Sequence, residues 1–356
     1  MEKKKLTVAV TGLNAVDSPG PGVAVIRGIR DCQDFDVRII GLSYESLEPG
    51  IYMPGMCDAT YQIPYPAAGT DALAGRLLYI HEKDPIDVIV PNFDAELYNF
   101  IRISDFLRTK GIHTFLPTTE MFDARDKMNL TAFGAKHGLF VPRDRVIYSS
   151  AELQSVATEL GYPLVVKGKF YEAVVCQTLE QAQKAFYKLS AKWGTPIICQ
   201  EFINGTEVNI AALGDGEGNA ISIIPMRKLV ITDKGKAWAG ITLEDDRLIE
   251  LAQKFVKATH WKGGFEIEIM MSAEGNPYIM EVNPRFPAWI YLSVGAGQNQ
   301  PASLVKMALG EKLQPFTSYE VGKMFIRYSW DLITDVADFQ EVSAMGEFKS
   351  KKQVQH

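Results

Sequence analysis

Over the first 117 residues, short apolar runs alternate with amphipathic stretches. "KLTVAVTGL" and "DVRIIGL" are β-branched and almost wholly apolar, as strands buried on both faces require. "IDVIVPNFDAE" reads as another strand, one that exits into a polar loop. Around these runs, "GVAVIRGIRDC", "TDALAGRLLYIHEK" and "ELYNFIRISDFLRTKG" space their apolar residues as helices do. The β-α-β succession predicts a parallel sheet with helices on both faces. The loops at the strand carboxyl ends, with Asn92, Asp94 and Glu96, form the expected ligand edge. "NAVDSPGPG" carries no GxGxxG, so its Gly and Pro either approach a ligand or simply make the turn.

The pattern then restarts. "TEMFDARDKMNLTAFGAKHG" predicts one charge-rich helix, and Ser150 is the expected N-cap of "AELQSVATELG", with Gly161 closing it. "YPLVVKGKFYEAVVCQ" predicts two strands about a short turn, "TLEQAQKAFYKLSAKWG" a helix and "PIICQEFI" a strand. Residues 143–200 are thus expected to form a compact α+β unit. From residue 201 onward antiparallel hairpins dominate, interrupted by the helix "DDRLIELAQKFVKATH".

One hairpin carries charge where a core strand should have none: "GFEIEIMMSAEGNPYIMEVNPRFPAW". Side chains two apart share a strand face, so Glu281, Asn283 and Arg285 face one way and Met280 and Val282 the other. A two-residue turn at Glu274-Gly275 would set Glu268 opposite Glu281 and Glu266 opposite Asn283. Like charges directly opposed are destabilising, and desolvation on so apolar a segment adds several kcal/mol unless a counter-charge is present. A divalent cation resolves both problems, and Mg²⁺ favours carboxylate and amide oxygens together with phosphates. Arg285 at the end of the row suits a bidentate phosphoryl contact. The competing interpretation is a solvated strand face with Glu–Arg pairs. The second carboxylate on the partner strand favours metal.

Composition removes several classes of function. A net charge of -6 over 356 residues gives no bulk attraction to nucleic acid. No apolar run approaches the ~20 residues that span a membrane, and the basic opening "MEKKK" leads into a strand and does not read as a signal peptide. Cys32, Cys57, Cys176 and Cys199 lie far apart without metal-ligand spacing, as expected of reduced thiols in a cytoplasmic protein. Chemistry is left to carboxylates, Lys and Arg.

Two lysines and a hinge extend the pattern. Lys167 ends a strand of Leu and Val, where it either snorkels to water or meets an anion. Lys127 sits early in a helical segment beside Asp126 and can equally be half of a surface ion pair. In "ICQEFINGTEVNI" a strand delivers Gln200 and Glu201, turns at Asn204-Gly205 and resumes at Glu207. Exposed backbone at such a hinge suits a planar base, and a following carboxylate suits a ribose hydroxyl.

The order and spacing of Lys127, Lys167, "QEFINGTEVNI", Glu268 and "EVNPR" resemble the ATP-grasp superfamily. The likeness is strongest to the branch of carbamoyl phosphate synthetase large subunits and biotin carboxylase, and it covers nearly the whole chain. It implies a Rossmann-like pre-ATP-grasp domain over 1–117 and a two-lobed ATP-grasp fold over 118–356. Residues 143–200 would be the small ATP-clamping lobe, and 201–356 the large lobe with the metal-binding hairpin. It further implies that Lys127 and Lys167 touch ATP phosphates, that Glu201 with the backbone of Phe202 and Ile203 holds adenine, and that Glu207 holds ribose. Glu268, Glu281 and Asn283 would hold two Mg²⁺ ions, with Mn²⁺ as a substitute. Arg285 would steady the transferring phosphoryl group. Arg227 and Lys228 in "IPMRKLVI" lie where relatives place basic groups, and Trp238 lies in a loop resembling one near the acceptor pocket. Phe286, Pro287 and Trp289 either line the substrate pocket or belong to the core.

The implied activity is a carboxylate–amine ligase acting on a small-molecule or peptide carboxylate and an amine-type nucleophile, through an acyl phosphate. A carboxylase-like enzyme phosphorylating bicarbonate, and a nucleotide-binding regulatory protein without turnover, are the alternatives. Relatives with this N-terminal domain are often dimers, so a homodimer is among the expected assemblies. The departure from the family is the flap after Lys167. It reads "KGKFYEA", where relatives carry several glycines, and Lys169 or Tyr171 is expected to take over part of its work.

Overall fold

The computed structural model describes residues 3–16, 18–125, 129–168 and 172–349. They form two compact units, one of residues 1–122, 209–266 and 283–356, the other of 123–208 and 267–282. Lys127, Lys169 and Tyr171 lie outside the described residues.

In the first unit, β1 (Lys4–Val10), β2 (Phe35–Ser43), β3 (Ala59–Gln62) and β4 (Val88–Val90) form a parallel sheet in the order β3-β2-β1-β4. The short strand Glu347–Lys349 adds antiparallel to β3. Successive residues serve opposite faces, as the pleat demands. Val8, Val10, Ile39 and Val88 pack with Val25, Ile26 and Ile29 of helix Pro21–Arg30. Ala9, Ile40, Leu42 and Ile89 pack with Leu73, Leu77 and Ile80 of Gly69–Lys83 and Phe100 of Asp94–Thr109. Both faces are therefore covered, which is why these strands read as continuous apolar runs. The first of these cores also takes in Ala211, Leu213, Ile224, Phe286, Ile290 and Leu304.

The "PGPG" loop shows why it needs glycine. Gly22 N donates to Gly12 O at 2.9 Å, and a Cβ at Gly22 would collide with the Thr11 and Gly12 backbone. Pro21 opens the helix at a position where its missing N–H costs nothing. Gly22→Ala is expected to lose about 1–3 kcal/mol or more, because backbone cannot move aside as a side chain can. Urea unfolding measures the loss, and an unchanged midpoint would remove the close-approach explanation.

In the second unit, β5 (Asp144–Ile147), β6 (Leu164–Gly168), β7 (Ala173–Cys176) and β8 (Ile197–Glu201) form an antiparallel sheet, order β5-β8-β6-β7. Leu164 and Val166 face the helices Leu153–Leu160 and Leu179–Trp193, against Val156, Phe186 and Leu189. Two local expectations shift. The N-cap is Ser149, in a capping box with Glu152, one residue before the predicted Ser150, because a 3-10 turn at Ser150–Glu152 precedes the helix. The single charge-rich helix expected after residue 117 is two, Thr119–Ala124 and Leu130–His137.

The remaining strands are β9 (Gly205–Asp215), β10 (Ala220–Ile231), β11 (Ala237–Thr242), β12 (Lys262–Ser272), β13 (Pro277–Asn283) and β14 (Met324–Ile326). They form one sheet in the order β13-β12-β9-β10-β11-β14. Helix Asp246–Thr259, capped by Asp245, buries Leu248, Leu251, Phe255 and Val256. Phe255, Trp261 and Phe265 meet with ring centroids 5.3–5.7 Å apart. The four cysteines are free, and burial pushes the Cys57 and Cys199 thiols up to about 12, which keeps them protonated and unreactive. No helix among the described residues is long and apolar enough to cross a membrane.

Candidate active site

The acidic hairpin is present, with a turn one residue longer than expected. Gly275 N donates to Ser272 O at 2.9 Å and Ser272 N to Asn276 O at 3.0 Å, enclosing Ala273, Glu274 and Gly275. Gly275 takes φ +84°, the left-handed conformation that such three-residue loops require. The phase of burial then changes along β13. Pro277 and Ile279 are buried, but so are Val282 and Asn283, so strict alternation ends before Asn283. Glu266 and Asn283 nevertheless come together as expected, since Asn283 Nδ2 donates to Glu266 Oε2 at 3.2 Å.

In the first unit Glu266 is the hub of that row. Its Oε1 accepts from Asn209 Nδ2 at 3.0 Å and from Trp289 Nε1 at 2.8 Å. Arg285 Nη1 lies 3.6 Å from its Oε2, while Arg285 Nε donates to Asp94 Oδ2 at 2.9 Å. Glu266 and Asn283 are each only 6% exposed, which removes the solvated-face interpretation for this end of the hairpin. Arg327, just beyond β14, responds to the same carboxylate. Burial pulls its guanidinium below the usual arginine range, and Glu266 opposes that shift. Phe286 and Trp289 are core residues, Trp289 with its N–H bound to Glu266 and Phe286 packed onto Gly264.

Asp94 and Glu96, both expected on the ligand edge, part company. Glu96 is fully buried and accepts from the hydroxyls of Thr11 and Tyr44 and from Asn92 N and Phe93 N. It caps its own helix from within and is not presented to a ligand. Burial pushes its carboxyl above the usual carboxylate range, and does the same to Glu48 nearby. Asn92 is likewise buried, with its amide nitrogen on Thr11 O and Val90 O.

The raised Glu48 gives a pH prediction. Glu48 accepts from the Tyr44 and Glu45 backbone N–H groups and faces the charges of Glu45 and Glu96. The folded state holds its proton more tightly than the unfolded chain, so its contribution to stability falls as pH rises out of the ordinary carboxylate range. Glu48→Gln is therefore expected to raise Tm at pH 7 and to lose that advantage near pH 4. A Tm difference independent of pH would contradict the assignment.

Arg227 and Lys228 are adjacent on β10 and so project to opposite faces. Arg227 is exposed, whereas Lys228 is half-buried and donates to Gly235 O at 3.1 Å. In the second unit Lys167 donates to Gln200 Oε1 at 2.9 Å, across β6 and β8. Glu201 accepts from Arg143 Nε at 3.0 Å and from Arg143 N at 3.2 Å, and that guanidinium holds its carboxyl below the usual range. Phe202 is exposed, Ile203 buried and Glu207 half-buried at the start of β9. Glu268 and Glu281 are half-buried on β12 and β13. No group of three His, Cys, Asp or Glu is assembled among the described residues. The predicted donor set is smaller, two carboxylates and an amide, and the Asn283 amide nitrogen is the atom turned to Glu266. That set fits a hard cation completed by phosphate oxygens and water.

A parallel sheet covered on both faces, an antiparallel small lobe and a sheet carrying the acidic hairpin make up the ATP-grasp fold. Its solved neighbours include the Biotin Carboxylase-beta-gamma-ATP complex of Campylobacter jejuni, with TM-score 0.70 and 17% identity over 89% of this chain and 74% of that one. The L-amino acid ligase of Bacillus licheniformis superposes with TM-score 0.65 and 18% identity, over 88% of this chain and 76% of that one. Residues 194–325 match the family described as "ATP-grasp in the biosynthetic pathway with Ter operon". In sequence the chain is similar to the carbamoyl phosphate synthase large chain of Caldanaerobacter subterraneus subsp. tengcongensis, 29% identical over 314 residues and 78% of this chain. The match spans 27% of that relative's length.

Proposed function

We propose that the chain is an ATP-dependent carboxylate–amine ligase that releases ADP and phosphate. The observation that carries this reading is the buried anchoring of Asn283 and Arg285 by Glu266 on an ATP-grasp hairpin. A built polar row of this kind suits phosphoryl transfer, which needs positioning and charge neutralisation more than a covalent nucleophile. A carboxylate oxygen attacks the γ-phosphorus as the bond to the β-phosphate oxygen breaks and ADP leaves. An amine then attacks the acyl carbon, phosphate departs, and the amine's extra proton passes to solvent.

We assign Lys127 and Lys167 to the phosphates, Glu201, Phe202 and Ile203 to adenine, and Glu207 to ribose. Glu268, Glu281 and Asn283 would hold the Mg²⁺ ions, whose chemistry is to neutralise the phosphates and align them. Arg285 is assigned to the phosphoryl group, with Arg227 or Lys228 as a second basic group. The domain limits proposed are 1–117 and 118–356, and the proposed location is the cytoplasm, with a homodimer as one of the assemblies to be tested.

The test is ADP release across panels of carboxylates and amines, with and without Mg²⁺. Release requiring Mg²⁺, a carboxylate and an amine supports the ligase. Release with bicarbonate alone would move the assignment to a carboxylase-like enzyme, a possibility raised by the likeness to biotin carboxylase. Tight ATP binding without turnover on any substrate would point instead to a regulatory protein.

A further inference from the structure

A polar cavity lies in the first unit, and none of its lining residues has a role in the proposed ligase. It holds about 160 Å³ and is bounded by Asp105, Arg108, His113, Phe115, Lys262 and Met307, among others. That is below the ~300–1,000 Å³ of pockets for drug-sized ligands, so a nucleotide is too large for it.

Its geometry follows from one close approach. Gly263 has φ +99°, and a Cβ there would press on Phe115 O, so the start of β12 lies directly against the segment carrying His113 and Phe115. Lys262 is thereby held with its Nζ 5.0 Å from the Phe115 ring centroid, and its stem lies over Gly216. Among the described residues no carboxylate lies within ion-pair distance of that ammonium. Burial and the nearby Arg108 both pull Lys262 below the usual lysine range, while Asp105 opposes them only weakly. Asp105 is paired at 3.0 Å with Arg108, and both side chains are largely exposed at the cavity's rim. Lys262, Arg108 and His113 thus line a small cavity together with the apolar side chains of Phe115 and Met307. A half-buried ammonium without a counter-ion is costly, and a multiply charged tetrahedral anion with several acceptor oxygens would offset that cost.

We propose that this cavity binds the phosphate group of a small metabolite, with Lys262 and Arg108 as its cationic walls. Isothermal titration calorimetry on the full chain tests this at constant ionic strength, using inorganic phosphate, glycerol 3-phosphate and succinate, with saturating ADP present to block the proposed nucleotide site. Saturable binding of both phosphate probes is expected, weakened at least tenfold by Lys262→Met and retained by Lys262→Arg, with ADP affinity unchanged in both. Arg108→Gln, at an exposed position, provides the same test should Lys262→Met fold poorly. Equal affinities for the two probes would identify free phosphate as the ligand, and tighter glycerol 3-phosphate a phosphate monoester; either supports the site. Phosphate binding that survives both Lys262→Met and Arg108→Gln, that ADP abolishes, or that succinate matches would overturn it. Because ADP affinity is read in parallel, this outcome is separable from failure of the ligase assignment.

Discussion

Glu281→Gln is expected to lower the rate of ADP formation by at least about a hundredfold while leaving the thermal midpoint nearly unchanged. Removing one electrostatic contact to a developing charge typically costs 10²–10³ in rate, and a carboxylate that would hold the metal ions is expected to fall in that range. The substitution keeps shape and volume at a half-buried position, so the fold has little reason to respond. Glutamine still offers one oxygen but no charge, which weakens the hold on a hard divalent cation without abolishing it. Part of the lost rate should therefore return as Mg²⁺ is raised from about the ATP concentration to a large excess. Near-normal turnover in the variant would sink the metal assignment, and a loss that no Mg²⁺ concentration relieves would argue that Glu281 acts by some other route. The Mg²⁺ titration matters because a merely structural carboxylate would leave the metal dependence untouched.

How much of this was legible in the chain depends on sequence separation. Continuous apolar runs located β1 and β2, and charges at two-residue spacing located the hairpin, because those signals are local along the chain. The placing of Glu266 beside Asn283 held although the turn is one residue longer than expected. Gly275 was read as part of a two-residue turn, and the left-handed residue of a three-residue loop is also commonly glycine, so the residue type alone did not decide between them. The partners that complete the site are another matter. Arg285 meets Asp94 across 191 residues, and Glu266 meets Asn209 across 57. No local pattern encodes either contact. Glu96 misled for a related reason. A carboxylate at the carboxyl edge of a parallel sheet reads as ligand-facing, but Thr11 and Tyr44 arrive from other strands to fill its acceptors. For the same reason Arg327 carried no signal. Its environment is set by burial and by a carboxylate some sixty positions earlier in the chain.

Glu266→Leu is expected to be among the most damaging single changes in the first unit, costing about 3–5 kcal/mol, because it removes the buried partner of several donors at once. Asn209 Nδ2, Asn283 Nδ2 and Trp289 Nε1 would each lose the acceptor they have in the native structure, at about 1–3 kcal/mol for every donor left unsatisfied. Relaxation would recover part of that sum. Glu266→Gln separates the structural part from the functional part. Oε1 takes two N–H groups, whereas Oε2 takes one and faces Arg285, so the amide oxygen should settle at Oε1 and the NH₂ at Oε2. The holds on Asn209 and Trp289 then survive, while Asn283 and Arg285 meet a donor where they had an acceptor. The glutamine variant should accordingly keep most of the stability, yet lose activity mainly through a raised KM for Mg-ATP and a shifted Mg²⁺ requirement. Glu266 is a positioning residue on this view, acting through Asn283 and Arg285. Urea denaturation and steady-state kinetics on both variants decide the matter. Equal losses of stability and activity in Gln and Leu would reduce Glu266 to a packing role, and wild-type kinetics in the glutamine variant would detach it from the site altogether.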